Sequence, residues 1–377
     1  MNLDLTEEQQ MLQTAARGFF EKEFPKTLVK KMEEDPSGYS PEVWKKMADM
    51  GWIGLVIPEE YGGSGFAFMD LVVLLEEMGR ACLTGPFFST AVLSTLPILA
   101  AGSAELKKEF LPGIAKGEKI LALALTEPSA TYEAAGIATK AVQHKGSFIV
   151  NGTKLFIHDA HIANYLLCVA RTKMKSKPEE GISILLVDAK SPGIKITPLP
   201  AIADDKQNEV IFKNVVVPEK NLVGELDKGW PIIKRLLDQA AVAKCAEMIG
   251  GADWVVETTT QYAKDRVQYG KPIGTFGAIQ HALAEMWTEV LLAKRLTYYA
   301  ASAVEQGIPC SYQVSVAKAK VNEAYKHSTR MGVQLHGAIG MTRDHDMGLY
   351  YRRSRQAAIL FGDTDSCRER VAQEVGL

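Results

Sequence analysis

A carboxylate set among small and apolar neighbours is well suited to moving a proton, and Glu247 in the stretch AAVAKCAEMIGGA is such a group. Burial disfavours the charged form, so a carboxylate placed there becomes a stronger base. Its plainer reading is an ion pair with Lys244, three residues away on the same helix face. Arg266, in Asp265-Arg266-Val267-Gln268-Tyr269-Gly270-Lys271-Pro272-Ile273-Gly274, offers a planar fork of donors to a phosphate-type anion, where a lysine would offer a point charge. A surface pair with Asp265 would also account for it. In Gln334-Leu335-His336-Gly337-Ala338-Ile339-Gly340 the two glycines allow backbone amides to approach a phosphate. The same glycines could simply end a helix.

These groups need elements to hold them, and the chain changes texture twice. From Leu5 to about Ala101, apolar residues recur at three and four spacings (Met11, Ala15, Phe19, Phe20; Val43, Met47, Met50), which predicts amphipathic helices. Thr6 before Glu7 and Glu8 reads as a helix N-cap, and Asp35-Pro36-Ser37-Gly38 and Pro58 to Gly63 read as loops. Near Ile120 short β-prone runs begin, among them ILALALT, SFIVNGTKLFI, YLLCVART and ISILLVD. Within them Asn151-Gly152 predicts the turn of a hairpin between SFIV and TKLFI. After Gly229-Trp230 helical periodicity returns as four long helices, the first ending near Gly250 and the second running from Ala252 to Tyr269. The expected architecture is α+β: an N-terminal helical domain (1–120), a middle β-barrel or sandwich (121–228) and a C-terminal four-helix bundle (229–377). Ligands commonly sit where such domains meet.

Composition bounds the function. Hydrophobic residues make up 47% and charged residues 23% of 377, an ordinary globular balance long enough for several cores. Lys plus Arg (43) nearly equals Asp plus Glu (45), which gives no overall field to attract nucleic acid or an anionic membrane. Five scattered cysteines without a Cys-x-x-Cys pair argue against a disulfide framework or a zinc site. With no secretory pattern in MNLDLTEEQQ and no uncharged run of about 20 residues, the expectation is a cytoplasmic protein.

Three segments at corresponding places along nearly the whole chain resemble the acyl-CoA dehydrogenase family: Thr126-Glu127-Pro128, the Arg266 stretch, and the Gln334 to Gly340 loop. The resemblance implies FAD as cofactor and an acyl-CoA thioester as substrate, with α-proton abstraction by a carboxylate and β-hydride transfer to the flavin. It implies that Leu125 and Thr126 contact the flavin ring, and that Arg266, with Gln268 and Tyr269, reaches the FAD pyrophosphate of a neighbouring subunit. Gln334, Gly337 and Gly340 accept the adenine end, and Thr364 joins the cofactor set. Thr153 to His158 matches the family's Gly-x-Lys-x-Trp-Ile-Thr/Ser strand, so Phe156 stands for the Trp and His158 for the hydroxyl. The family's substrate-side serine falls on Tyr132, and Asp238 and Arg353 are further substrate-side carry-overs. Aligning the family's Glu-Gly-Thr turn gives Gly362-Asp363-Thr364, so the usual catalytic glutamate is absent. Glu247 matches the glutamate of members handling bulky acyl groups and is the preferred base, with Asp363 the alternative. The departures at Tyr132, His158 and Gly362 favour a branched, cyclic or dicarboxylic thioester.

The same resemblance implies a dimer or tetramer, homomeric or heteromeric, and an electron-transfer flavoprotein as acceptor. Two competing readings keep the fold: a half-site subunit without its own base, and a flavin oxidase or monooxygenase.

Overall fold

The computed structural model describes residues 4–175 and 177–377. In chain order the helices are α1 (Glu7–Glu23), α2 (Lys26–Glu34), α3 (Pro41–Asp49), α4 (Phe68–Ala81), α5 (Thr95–Ala101), α6 (Ala104–Ala115), α7 (Trp230–Asp265), α8 (Gly277–Glu305), α9 (Ser311–His336), α10 (Met347–Ala357) and α11 (Thr364–Glu374). The strands are β1 (Leu121–Ala124), β2 (Lys140–His144), β3 (Ser147–His158), β4 (Tyr165–Arg171), β5 (Ile182–Asp188), β6 (Ile194–Leu199), β7 (Gln207–Pro218), β8 (Leu222–Val223), β9 (Val267–Gln268) and β10 (Lys271–Pro272). The chain divides into two compact units. One comprises the residues up to Lys30, Ala67–Leu83 and Asp238–Leu377, and the other comprises Lys31–Phe66 and Thr84–Leu237.

In the first unit α1 and α4 join the long helices α7, α8 and α9. Thr6 caps α1 as its sequence predicts: its hydroxyl accepts from the Gln9 amide at 3.2 Å, and the Gln9 side chain accepts from the Thr6 amide at 3.1 Å. The expected break near Gly250 does not occur, because α7 runs unbroken for 36 residues. Three long helices therefore stand where four are expected. The glycine pair serves close packing instead. A Cβ on Gly250 would lie 1.7 Å from the Glu76 carbonyl of α4, and one on Gly251 would lie 2.5 Å from the Tyr325 hydroxyl of α9. Gly79 of α4 meets the Glu247 carbonyl at 1.9 Å in the same sense, so the two helices cross backbone to backbone.

In the second unit eight strands form one sheet in the order β6-β7-β3-β2-β4-β5-β8, with β1 parallel to β4. The runs YLLCVAR and ISILLVD are covered almost throughout, as suits strands with both faces packed. The Asn151-Gly152 hairpin is not formed: β3 is a single 12-residue strand. Its turn is Lys145-Gly146, both at positive φ (48° and 75°), which joins β2 to β3. Asn151-Gly152 is a bulge instead, marked by a register shift against β7, and the Asn151 side chain accepts from the Asn214 amide at 2.8 Å. A second shift between Lys154 and Ile157 sets Phe156 at φ 59°.

Among the described residues no helix is long and apolar enough to cross a membrane, and no cluster of His, Cys, Asp and Glu could hold a metal. All five cysteines are free.

Candidate functional site

The β unit carries the residues expected beside a flavin ring. Buried Leu125 and half-buried Thr126 leave β1 in a turn held from below by β3: the Leu155 amide donates to the Thr126 carbonyl at 2.9 Å. Lys154, fully buried, donates to the carbonyls of Leu125 (3.0 Å) and Val169 (2.6 Å) and to the Glu127 carboxylate (2.7 Å). Glu127 also accepts from the amides of Ala138 (2.9 Å) and Thr139 (3.0 Å). Burial alone would raise the Glu127 carboxyl, but Lys154 and those amides outweigh it and hold the group below its ordinary value. The turn is thus fixed by a satisfied, charged core.

The bulge that places Phe156 leaves its ring 45% exposed, an unusual state for an aromatic at positive φ inside a strand. Two residues on, His158 Nε2 lies 2.9 Å from the Asp205 carboxylate, with Gln207 at 3.3 Å. Sequence reading assigned His158 but missed Asp205, 47 positions away, because only strand pairing between β3 and β7 brings them together. Tyr132 is half-buried in the loop after Thr126.

The helical unit carries the residues expected for the dinucleotide and for proton transfer. Arg266 follows α7 and opens the β9-β10 hairpin, whose turn residues Tyr269 and Gly270 have φ 53° and 78°. Asp265 accepts from Gln261 at 3.0 Å, and among the described residues the exposed Arg266 guanidinium has no ion-pair partner. Gln268 is exposed, and Tyr269 is 92% exposed. Gln334 is exposed near the end of α9. Gly337 caps that helix at φ 67°, its amide donating to the Gln334 and Val333 carbonyls. A Cβ there would meet nothing within 4 Å, so backbone conformation rather than crowding calls for glycine. At Gly340 a Cβ would sit 3.0 Å from the His336 Cβ. His336 stacks on Tyr262 at 4.3 Å, and its Nε2 is buried without a hydrogen-bond partner.

Glu247 is three-quarters buried and contacts Lys244, so the predicted pair forms, but in a covered rather than an exposed setting. The pair and a role in chemistry are compatible. Asp363 differs. It is exposed, caps α11 by accepting from the Ser366 amide at 2.7 Å, and is held below the ordinary carboxyl value mainly by that hydrogen bond. That is the opposite of a desolvated base. Gly362 beside it has φ 123° and no side chain to offer. Arg353 donates to the Leu83 carbonyl at 3.0 Å, at the end of α4, and Asp238 accepts from the Ser311 hydroxyl at 2.8 Å. Both contacts tie the scaffold together. Thr364 Oγ1 is buried without a partner.

Domain models of the acyl-CoA dehydrogenase family match in succession: the N-terminal domain at residues 6–118, the middle domain at 122–215 and the C-terminal domain at 227–376. The chain belongs to the acyl-CoA dehydrogenase family. Acryloyl-CoA reductase (NADH) of Anaerotignum propionicum is 32% identical over 100% of this chain and 96% of that protein. The 3-(aryl)acrylate reductase of Clostridium sporogenes is 34% identical over 96% of each. The caffeyl-CoA reductase-Etf complex subunit CarC of Acetobacterium woodii is 34% identical over 95% of each. Among solved structures, butyryl-CoA dehydrogenase from Megasphaera elsdenii superposes with a TM-score of 0.92 at 28% identity over 100% of both chains. The glutaryl-CoA dehydrogenase complex with glutaryl-CoA gives 0.95 at 28% over 100% of this chain and 97% of that one. This acyl-CoA dehydrogenase is an FAD-dependent oxidoreductase of the CH–CH bond of acyl-CoA thioesters, acting by dehydrogenation or reduction. The residues present fit that cofactor: an exposed aromatic ring at Phe156, unpartnered polar atoms at Thr364 and His336, and an unpaired arginine at Arg266.

Proposed function

We propose that this enzyme exchanges the α-proton of a branched, cyclic or aryl acyl-CoA thioester through Glu247, working on the α,β carbon–carbon bond in either direction. The observation that carries the reading is the state of the turn before α11. Gly362 offers no carboxylate there, and Asp363 spends its own on a helix cap, so neither supplies a basic group. Of the two candidate bases Glu247 is the one left, largely covered and on the helix whose glycines admit α4 and α9.

Phe156, Leu125, Thr126 and His158 would hold the flavin ring, and Thr364 is a further member of the cofactor set. Arg266, Gln268, Tyr269, Gln334, Gly337 and Gly340 would hold the dinucleotide, with Arg266 reaching a neighbouring subunit, so a dimer or tetramer is part of the proposal. Bound FAD supplies the two-electron couple for the α,β bond. Glu247 takes the α-proton in dehydrogenation and returns it in reduction. Lys244, three residues earlier on the same helix face, contacts the carboxylate and orients it. The Glu127–Lys154 core keeps the Thr126 turn from moving. Tyr132 narrows the acyl entrance against a straight chain. Relatives named as reductases of acryloyl-CoA, arylacrylate and caffeyl-CoA support a small unsaturated or aryl acyl group, and the Etf complex named for one supports an electron-transfer flavoprotein as partner.

Anaerobic stopped-flow bleaching with a thioester panel tests the substrate class. Aryl and branched saturated thioesters should bleach the flavin at least ten times faster than butyryl-CoA and octanoyl-CoA. Fastest bleaching by a straight chain would contradict the proposal.

A further inference from the structure

The helical unit contains a cavity of about 300 Å³ between α1, the start of α2, α4 and α7, lined by none of the residues assigned above to FAD or the acyl-CoA. One side of its wall is aromatic: Phe20 and Phe24, both buried, with Trp254 of α7, which stacks on Tyr350 at 4.1 Å and an interplanar angle of 11°. Three cations line the same space, and their partners differ. Arg17 is satisfied, donating twice to Glu77 at 2.7 and 3.0 Å. Arg80 is half satisfied: Nη2 contacts Glu257 while Nη1 is buried with no hydrogen-bond partner. Lys26 donates to the Arg80 carbonyl at 2.9 Å and otherwise faces rings, 5.5 Å from the Trp254 centroid and 5.0 Å from that of Tyr350.

A buried cation normally has its donors filled, and unfilled ones are costly unless something arrives to fill them. Arg80 Nη1 is such a donor, and Lys26, with one carbonyl and two rings as its near partners, opens on the same cavity. Burial lowers the Lys26 amine to about 8, the direction expected of an ammonium lacking its counter-ion. Glu21, exposed at the mouth, and Glu77, occupied by Arg17, do not supply that counter-ion. The missing group is therefore a single small anion. The aromatic wall sets the rest of the ligand, since a bare phosphate would leave the rings unused and would need more donors than Lys26 and Arg80 Nη1 provide.

We propose that this cavity is a second ligand site, separate from the thioester site, for a small aryl or alkyl carboxylate whose anionic end lies between Lys26 and Arg80 and whose apolar body packs on Phe24 and Trp254. The test is isothermal titration of the FAD-loaded enzyme with 3-phenylpropionate, alone and with a saturating unreactive acyl-CoA thioether in the thioester site. Binding of one equivalent per chain that persists beside the thioether is expected. It should weaken at least tenfold in Lys26→Met, which removes the charge, and in Ala81→Met, which fills the cavity and keeps every charge. An absence of binding, displacement by the thioether, or affinity unchanged in both variants would overturn the proposal. Phosphate binding as tightly as 3-phenylpropionate would overturn the ligand class.

Discussion

Lys154 in the β unit and Lys318 in the helical unit are both fully buried amines that hold a turn by its carbonyl oxygens, and they differ in what balances the charge. Lys154 holds the turn at Thr126 and has the Glu127 carboxylate at 2.7 Å. Lys318 holds the end of α10 through the Ala357 carbonyl at 3.0 Å. Its remaining near partners are the Asn322 side-chain oxygen at 2.5 Å and Met248 sulfur at 3.9 Å. Asn322 in turn donates to the Gly362 carbonyl at 3.2 Å, so the Gly362 turn hangs on this pair. Burial pushes Lys318 down to about 8, because dipoles replace only part of the lost hydration. The first turn has a carboxylate held below its ordinary value, which keeps its charge across the neutral range. The absence of a carboxylate makes the second turn respond to alkali.

The largest effect should come from breaking the first arrangement. Lys154→Met leaves Glu127 buried and unpaired, and denaturant unfolding should show a loss of about 3–5 kcal/mol. The double variant Lys154→Met/Glu127→Gln should regain at least half, since the amide oxygen still accepts from Ala138 and Thr139. Equal losses in single and double variants would mean that packing, not charge, holds this turn.

The second arrangement sharpens the comparison through pH. The folded value of Lys318 (about 8) lies below the unfolded one of about 10.5, so between them the unfolded chain binds more protons and stability rises with pH. Wild type should therefore gain about 3 kcal/mol relative to Lys318→Met between pH 7 and 11, the equivalent of the displacement between the two values. Lys26 titrates in the same sense in both proteins, so the difference between their curves isolates Lys318. Parallel curves would show that Lys318 is better solvated than its contacts indicate.

Asp363 should give the smallest effect. Its replacement by Ala removes an N-cap and should cost about 1 kcal/mol in the same unfolding assay, whereas Asp363→Asn should cost a few tenths. The lowered carboxyl value makes this contribution complete above the unfolded value of about 3.9 and lost as pH falls through the folded one. Flavin bleaching by substrate should survive in Asp363→Asn.

The contrast also marks what the sequence could disclose. Signals confined to a few neighbouring residues are legible: the Thr6 cap, the helical start of the chain and the strand-rich middle. Local signals with two physical meanings were misread. Asn151-Gly152 suits a hairpin turn and a bulge equally, and only the partner strand β7 decides between them. Gly250-Gly251 suits a helix break and a close helix crossing, and the decision lies with Glu76 and Tyr325, which are remote in sequence. Partners brought together by pairing and packing were not legible at all. Lys154 with Glu127, His158 with Asp205, and Lys318 with the Gly362 turn are separated by tens of residues, and each is a charge or dipole whose role depends on what burial places against it.

The assignment of the base is tested most directly by anaerobic reduction of Glu247→Gln with the best aryl or branched thioester from the panel. The account predicts a variant that keeps FAD and binds the thioester but bleaches about 10³-fold more slowly than wild type, within the range expected for loss of a general base. Bleaching within threefold of wild type would contradict it.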